Sequence, residues 1–201
     1  MPDISQTEIE QFLSSDSQGI CIGVDDPQTP KLVFPGSFNP LHEGHVGMAN
    51  YASELSQTPV AFEISVSNVD KPDLTAAALL KRARQFASFQ NDVWLTKAPT
   101  FSMKADIFPR ATFVLGADTM RRLIDPAYYQ GEEAFIAAVN QISAAGCKLL
   151  AFGRLIDGTF LDSTQFPMPE TLKSIIHFIP EQEFRCDISS TDIRDQNADL
   201  N

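Results

Sequence analysis

The 201-residue chain carries 26 acidic against 15 basic side chains, a formal charge of −11. That balance excludes a general binder of long nucleic acid, which needs a basic face to meet many phosphates, but leaves room for a small phosphorylated ligand held by a few local cations. With 43% apolar residues, the chain has the material for one α/β core.

Residues 1–29 are polar, with one amphipathic stretch, Ile9, Phe12 and Leu13, behind the cap candidates Ser5 and Thr7. They read as an N-terminal appendage bearing a short helix docked on the outside, with the main domain over residues 30–201. Residues 31–34 form a first strand that stops at Pro35-Gly36. The apolar period Val46, Met48, Ala49, Leu55 then predicts a helix over 45–55. Residues 60–66, with Phe62, Ile64 and Val66 alternating, are a second strand, and 75–89 a helix presenting Leu79, Leu80, Ala83 and Phe86. Strands follow at 93–95, 112–115, 148–152 and 175–179. Helices are expected at 102–108, at 134–145 and from Ser190 onward. Strands alternating with helices predict a Rossmann-like α/β fold, a mostly parallel sheet covered by helices on both faces. Ligands of such sheets bind beyond the carboxyl ends of the strands, where the strand order reverses.

Cys21, Cys147 and Cys186 are dispersed and form no C-x-x-C pair, so they read as small buried residues of a reducing compartment rather than disulfides or zinc ligands. The acidic N-terminus is unlike a signal peptide, and no apolar run approaches the ~18 residues of a membrane span. A cytoplasmic protein without a membrane partner is expected; the oligomeric state is left open.

Two motifs carry the chemistry. Gly36-Ser37-Phe38-Asn39-Pro40-Leu41-His42-Glu43-Gly44-His45 leaves the first strand and opens the first helix, where backbone N–H groups and the helix dipole favour an anion. His42 and His45, three apart, share one side of the first turn, and Gly44 leaves the backbone open to close approach. Imidazoles so placed can donate to the oxygens of a pentacoordinate phosphorus. The alternatives are plain capping, or a metal site for which no third ligand lies nearby in sequence. The second motif, Ile188-Ser189-Ser190-Thr191-Asp192-Ile193-Arg194, has an S-x-x-D capping signature. The hydroxyls of Ser190 and Thr191, together with Arg194 one turn on, make a second anion site or merely a capped helix. No G-x-G-x-x-G follows a strand, which leaves a dinucleotide cofactor without support.

Together these motifs resemble the paired signatures of the nucleotidyltransferase superfamily, which contains nicotinate- and nicotinamide-nucleotide adenylyltransferases, phosphopantetheine adenylyltransferases and small cytidylyltransferases. The similarity runs from Lys31 to Arg194. It implies transfer of a nucleotidyl group, AMP from ATP, to a phosphorylated small-molecule acceptor with release of pyrophosphate. His42, His45 and Arg194 would be catalytic. The backbone of Gly36, Ser37 and Phe38, with Gly44, would line the α-phosphate site; Ser190 and Thr191 would hold the departing phosphates. Gly116 and Asp118 look like the family's Gly-x-Asp at the ribose, and Asp118 is also a helix N-cap candidate. Mg²⁺ would arrive on the triphosphate, with no dedicated metal site in the protein. Nicotinate or nicotinamide mononucleotide is the acceptor the resemblance suggests, through Lys71 past the second strand and the segment Pro99-Thr100-Phe101-Ser102. Trp94 and Phe101 are stacking candidates, although Trp94, in a strand, reads first as a core residue. Lys104 and Arg154 are further cations, or surface side chains. A phosphopantetheine or cytidylyl acceptor, or a nucleotide-binding module without turnover, are the other readings.

Overall fold

The structure is a computed structural model that describes residues 5–67, 72–153, 155–156, 159–160, 168–188, 190 and 193–194. Lys71, Arg154, Ser189, Thr191 and Asp192 therefore lie outside the described residues.

The chain opens with helix α1 (Gln6–Ser14), strand β1 (Gly19–Cys21) and strand β2 (Leu32–Pro35). It continues through α2 (Glu43–Ser56), β3 (Ala61–Ser65), α3 (Ala76–Ala83), β4 (Val93–Thr96), α4 (Phe101–Ile107) and β5 (Thr112–Gly116). Then come α5 (Ala117–Ile124), α6 (Glu132–Ala144), β6 (Lys148–Phe152), the two-stranded pair β7 (Leu155–Ile156) and β8 (Thr159–Phe160), α7 (Glu170–Ile175) and β9 (Ile176–Ile179). Seven strands make one sheet in the order β1-β4-β3-β2-β5-β6-β9. Every pairing in it is parallel except that of β1 with β4. This is the expected Rossmann-like α/β sheet with helices on both faces.

Period-two alternation decides which side each residue faces. Phe34, Phe62, Ile64, Val114, Leu150 and Phe152 join one core with α1, α2 and α3. Their neighbours Val33, Ala61, Phe113, Leu115, Leu149 and Ala151 join the other with α4, α5, α6 and α7. A strand buried on both faces has no solvent side, which is why these strands read as apolar runs.

The N-terminal segment is more than an outside appendage. Ser5 caps α1 by accepting from the Glu8 N–H at 3.1 Å, and Ile9 and Phe12 sink into the core at 0% and 3% exposure. Lys97 donates to the Leu13 carbonyl at 3.3 Å and lies 5.0 Å above the Phe12 ring. Residues 19–21, for which the sequence predicts no element, add an antiparallel strand to the β4 edge, from Gly19 opposite Thr96 to Cys21 opposite Trp94. No helix among the described residues is long and apolar enough to cross a membrane.

The strand order reverses beside β2: β3 and β4 continue to one side, while β5 and β6 lie on the other. The carboxyl ends of β2 and β5 therefore flank the switch point, and Gly36 and Gly116 stand there.

Candidate active site at the switch point

The first motif is held by its neighbours before any ligand arrives. The Gly36 N–H donates to the Glu63 carbonyl of β3 at 2.9 Å. Phe38 turns with φ 42° and folds its fully buried ring back over Gly36; a Cβ on Gly36 would meet three ring carbons at 2.6–2.9 Å. The ring packs edge-on to Phe34, Phe62 and Phe86 at 5.5, 5.5 and 5.1 Å, a geometry the aromatic quadrupole favours. Gln85 clamps the loop, its amide donating to the Phe38 carbonyl and its Oε1 accepting from the Leu41 N–H, both at 2.8 Å. Ser37 and Asn39 line the cleft, whereas Phe38 is the loop's anchor and does not line it.

His42 is the N-cap of α2 and His45 its third residue. Their rings lie 3.8 Å apart between centroids, tilted by 31°. The His42 backbone N–H donates to His45 Nδ1 at 3.3 Å, which leaves the proton of neutral His45 on Nε2. Burial, with the nearby charge of His42, lowers the His45 pKa from 6.5 to about 3. His45 is thus a neutral N–H donor at pH 7.

The second motif reaches the first along α2. Beyond β9, Tyr51 donates to Glu183, and Phe184 packs on Tyr51 and Phe152 at 5.9 and 5.0 Å. Gly47 makes room for Phe184, since a Cβ there would meet its ring at 3.2 Å. Gly44 makes room for Cys186 and the His42 ring, both 3.0 Å from a hypothetical Cβ. The space expected above Gly44 for a phosphate is thus occupied by protein, although the residue still borders the cleft. Ser190 then donates to the Pro40 carbonyl at 2.9 Å and Arg194 to the Asn39 carbonyl at 2.7 Å. Two motifs 150 residues apart share one backbone turn.

The result is a cleft of about 700 Å³. Gly36, Ser37, His42, His45, Ser190 and Arg194 border it, with Gly116 and Asp118 from the end of β5. Asp118 sits in the first turn of α5, whose N-cap is Gly116, so the N-cap expectation for Asp118 is corrected. Arg82 of α3 also lines the cleft, donating to the Ser37 carbonyl at 3.0 Å. Burial and the charge of Arg194 lower its pKa. Two guanidiniums facing one space repel each other and together favour an anion between them. Arg122 of α5 adds a third. Sequence reasoning missed Arg82 because nothing local separates it from Lys81 and Arg84; only the return of the loop after β2 brings it to the site.

The structure also decides the remaining acceptor candidates among the described residues. Trp94 is 8% exposed and packs edge-on to Phe108 at 5.2 Å; it is core, away from the cleft lining, because its side of β4 faces the cluster that contains Phe108. Lys104 does border the cleft, but it is 4% exposed and its ammonium is 2.8 Å from Glu63. Its charge is neutralised inside the protein and is not offered to an acceptor phosphate. Phe101, by contrast, lines the cleft next to Pro99 and Thr100. Among the described residues no three His, Cys, Asp or Glu side chains gather as a metal site.

A family model described as Cytidylyltransferase-like matches residues 33–196, from β2 past Arg194. The chain belongs to the cytidylyltransferase-like family. No curated protein is significantly similar to it. Membership of the cytidylyltransferase-like family makes nucleotidyl transfer its general chemistry, with a nucleoside triphosphate as one substrate. The match spans both motifs.

Proposed function

We propose that the protein transfers AMP from Mg²⁺-bound ATP to the phosphate of nicotinate or nicotinamide mononucleotide, releasing pyrophosphate. The observation that carries this reading is the convergence of the His42–His45 pair with Arg82 and Arg194 on a single cleft at the switch point. An acceptor phosphate oxygen attacks the α-phosphorus of ATP; the new P–O bond forms as the bond to the β-phosphate breaks, and pyrophosphate leaves with the electron pair. The attacking phosphate is already anionic, so no general base is needed and catalysis is positioning plus charge neutralisation. His45 donates from Nε2 to the oxygens on which charge accumulates. Arg194 and Arg82 hold the departing phosphates, and Asp118 takes the ribose. The cleft is also bordered by Leu74, Pro99 and Phe101, apolar side chains against which a flat ring can lie.

The test is incubation with ATP, Mg²⁺ and each mononucleotide, with chromatography for the dinucleotide and an assay for pyrophosphate. A dinucleotide formed with equimolar pyrophosphate is the expected result. No product from either, alongside turnover of phosphopantetheine or of CTP with another acceptor, would overturn the acceptor assignment.

A further inference from the structure

Glu63 is fully buried, at 0% exposure, yet it borders the cleft together with Ser65, Thr100 and Phe101. Its Oε1 accepts from the Thr96 hydroxyl at 2.5 Å and from the Lys104 ammonium at 2.8 Å. Its Oε2 is buried and has no hydrogen-bond partner among the described residues. The surrounding donors are committed elsewhere: Lys104 also donates to the Ala98 carbonyl at 2.7 Å, and Ser65 to the same carbonyl at 2.9 Å. A buried carboxylate oxygen left unpaired is costly. Here the cost falls beside the first motif, where Glu63 stands opposite Pro35 and borders the cleft together with Ser65, Thr100 and Phe101, the side chains against which the proposed acceptor would lie.

We infer that Glu63 selects the acceptor by its head group, accepting through Oε2 from a neutral hydrogen-bond donor such as a primary carboxamide and disfavouring a carboxylate. The Lys104–Glu63 pair is neutral as a unit, so it supplies no net cation to draw in a second anion. A carboxylate there would face Oε2 with no proton between them, while an amide N–H satisfies the unpaired oxygen. Between the two mononucleotides proposed above, the nicotinamide form is therefore the substrate. This inference rests on that acceptor reading.

The experiment compares kcat/KM for the two mononucleotides in the wild type and in Glu63→Gln. The wild type is expected to prefer the carboxamide at least ~10-fold, as sites built around one buried polar partner do. The Gln variant, which offers an amide and leaves the Lys104 charge uncompensated, is expected to lose most of that preference, chiefly by gaining on the carboxylate. A wild type that uses both equally, or prefers the carboxylate, overturns the inference while leaving adenylyl transfer intact. An unchanged ratio in a folded Glu63→Gln protein overturns it as well, because a purely structural ion pair would move both substrates alike. Turnover of neither mononucleotide overturns both this inference and the acceptor reading. Should the variant not fold, the melting temperature of the wild type with a non-hydrolysable ATP analogue and each mononucleotide separates the same alternatives: greater stabilisation by the carboxamide supports the inference, equal or smaller stabilisation refutes it.

Discussion

His45 should leave a signature in the acid stability of the fold, readable without any substrate. Its imidazole has a pKa of about 3 in the folded protein, lowered mainly by burial and further by His42, against 6.5 ordinarily. Between those values the unfolded chain binds a proton that the folded chain refuses, so stability falls as pH drops through the window. Each pH unit is worth at most about 1.4 kcal/mol, and between pH 7.5 and pH 5 the loss due to this group is roughly 2 kcal/mol. His45→Gln removes the titration while keeping an acceptor for the His42 N–H. Urea unfolding followed by fluorescence of the single tryptophan, Trp94, which lies in the core, measures both proteins at each pH. Carboxylate protonation is shared background and cancels in the difference. The variant should therefore lose roughly 2 kcal/mol less than the wild type between these pH values. Parallel stability curves, or an imidazole that titrates near pH 6 by NMR, would refute the assignment of a buried neutral donor.

Gly36→Ala should cost about 1–3 kcal/mol by overpacking against Phe38, seen as a lower melting temperature, with part of it restored by adding Phe38→Leu. Arg194→Ala should raise the apparent KM for the triphosphate, and for pyrophosphate in reverse, on the order of tenfold with a smaller effect on kcat, because a guanidinium on the leaving group binds ground state and product alike; a change in the acceptor KM alone would refute it. Lys104→Met should destabilise by about 3–5 kcal/mol by stranding the Glu63 carboxylate, and combining it with Glu63→Leu should recover most of that loss in denaturant titrations.

The strands around the site are legible because their sequence runs are apolar on both faces: residues 112–115 and 148–152 match β5 and β6 almost residue for residue. The two motifs are legible because strand-end glycines and capping residues are local signals. Glu63 is not. It stands between Phe62 and Ile64, and simple alternation would put it on a polar side that a doubly covered parallel sheet lacks; its partners Thr96 and Lys104 are 33 and 41 residues away. Strand β1 is invisible in the sequence because three residues beginning with glycine carry no period, and its existence depends on β4. Helix α5 is missing from the predicted elements although Ala117, Met120, Leu123 and Ile124 follow a helical period. Trp94 looks available to a ligand only because the sequence does not show Phe108 against it.

The sharing of residues 39 and 40 between the two motifs also orders events in time. The His42–His45 turn belongs to the first strand-turn-helix unit of the sheet, and its contacts with β3 and α3 are short in sequence. Ser190 and Arg194 reach the carbonyls of Pro40 and Asn39 across a span of chain that also includes the pairing of β9 with β6 and the packing of Phe184 at Gly47. Closing a loop of that span costs several times RT in chain entropy, so it awaits the contacts that hold the return segment in place. A chain emerging from the ribosome therefore holds its histidine pair long before residues 190–194 have been made, and the link between the two motifs can close only after them.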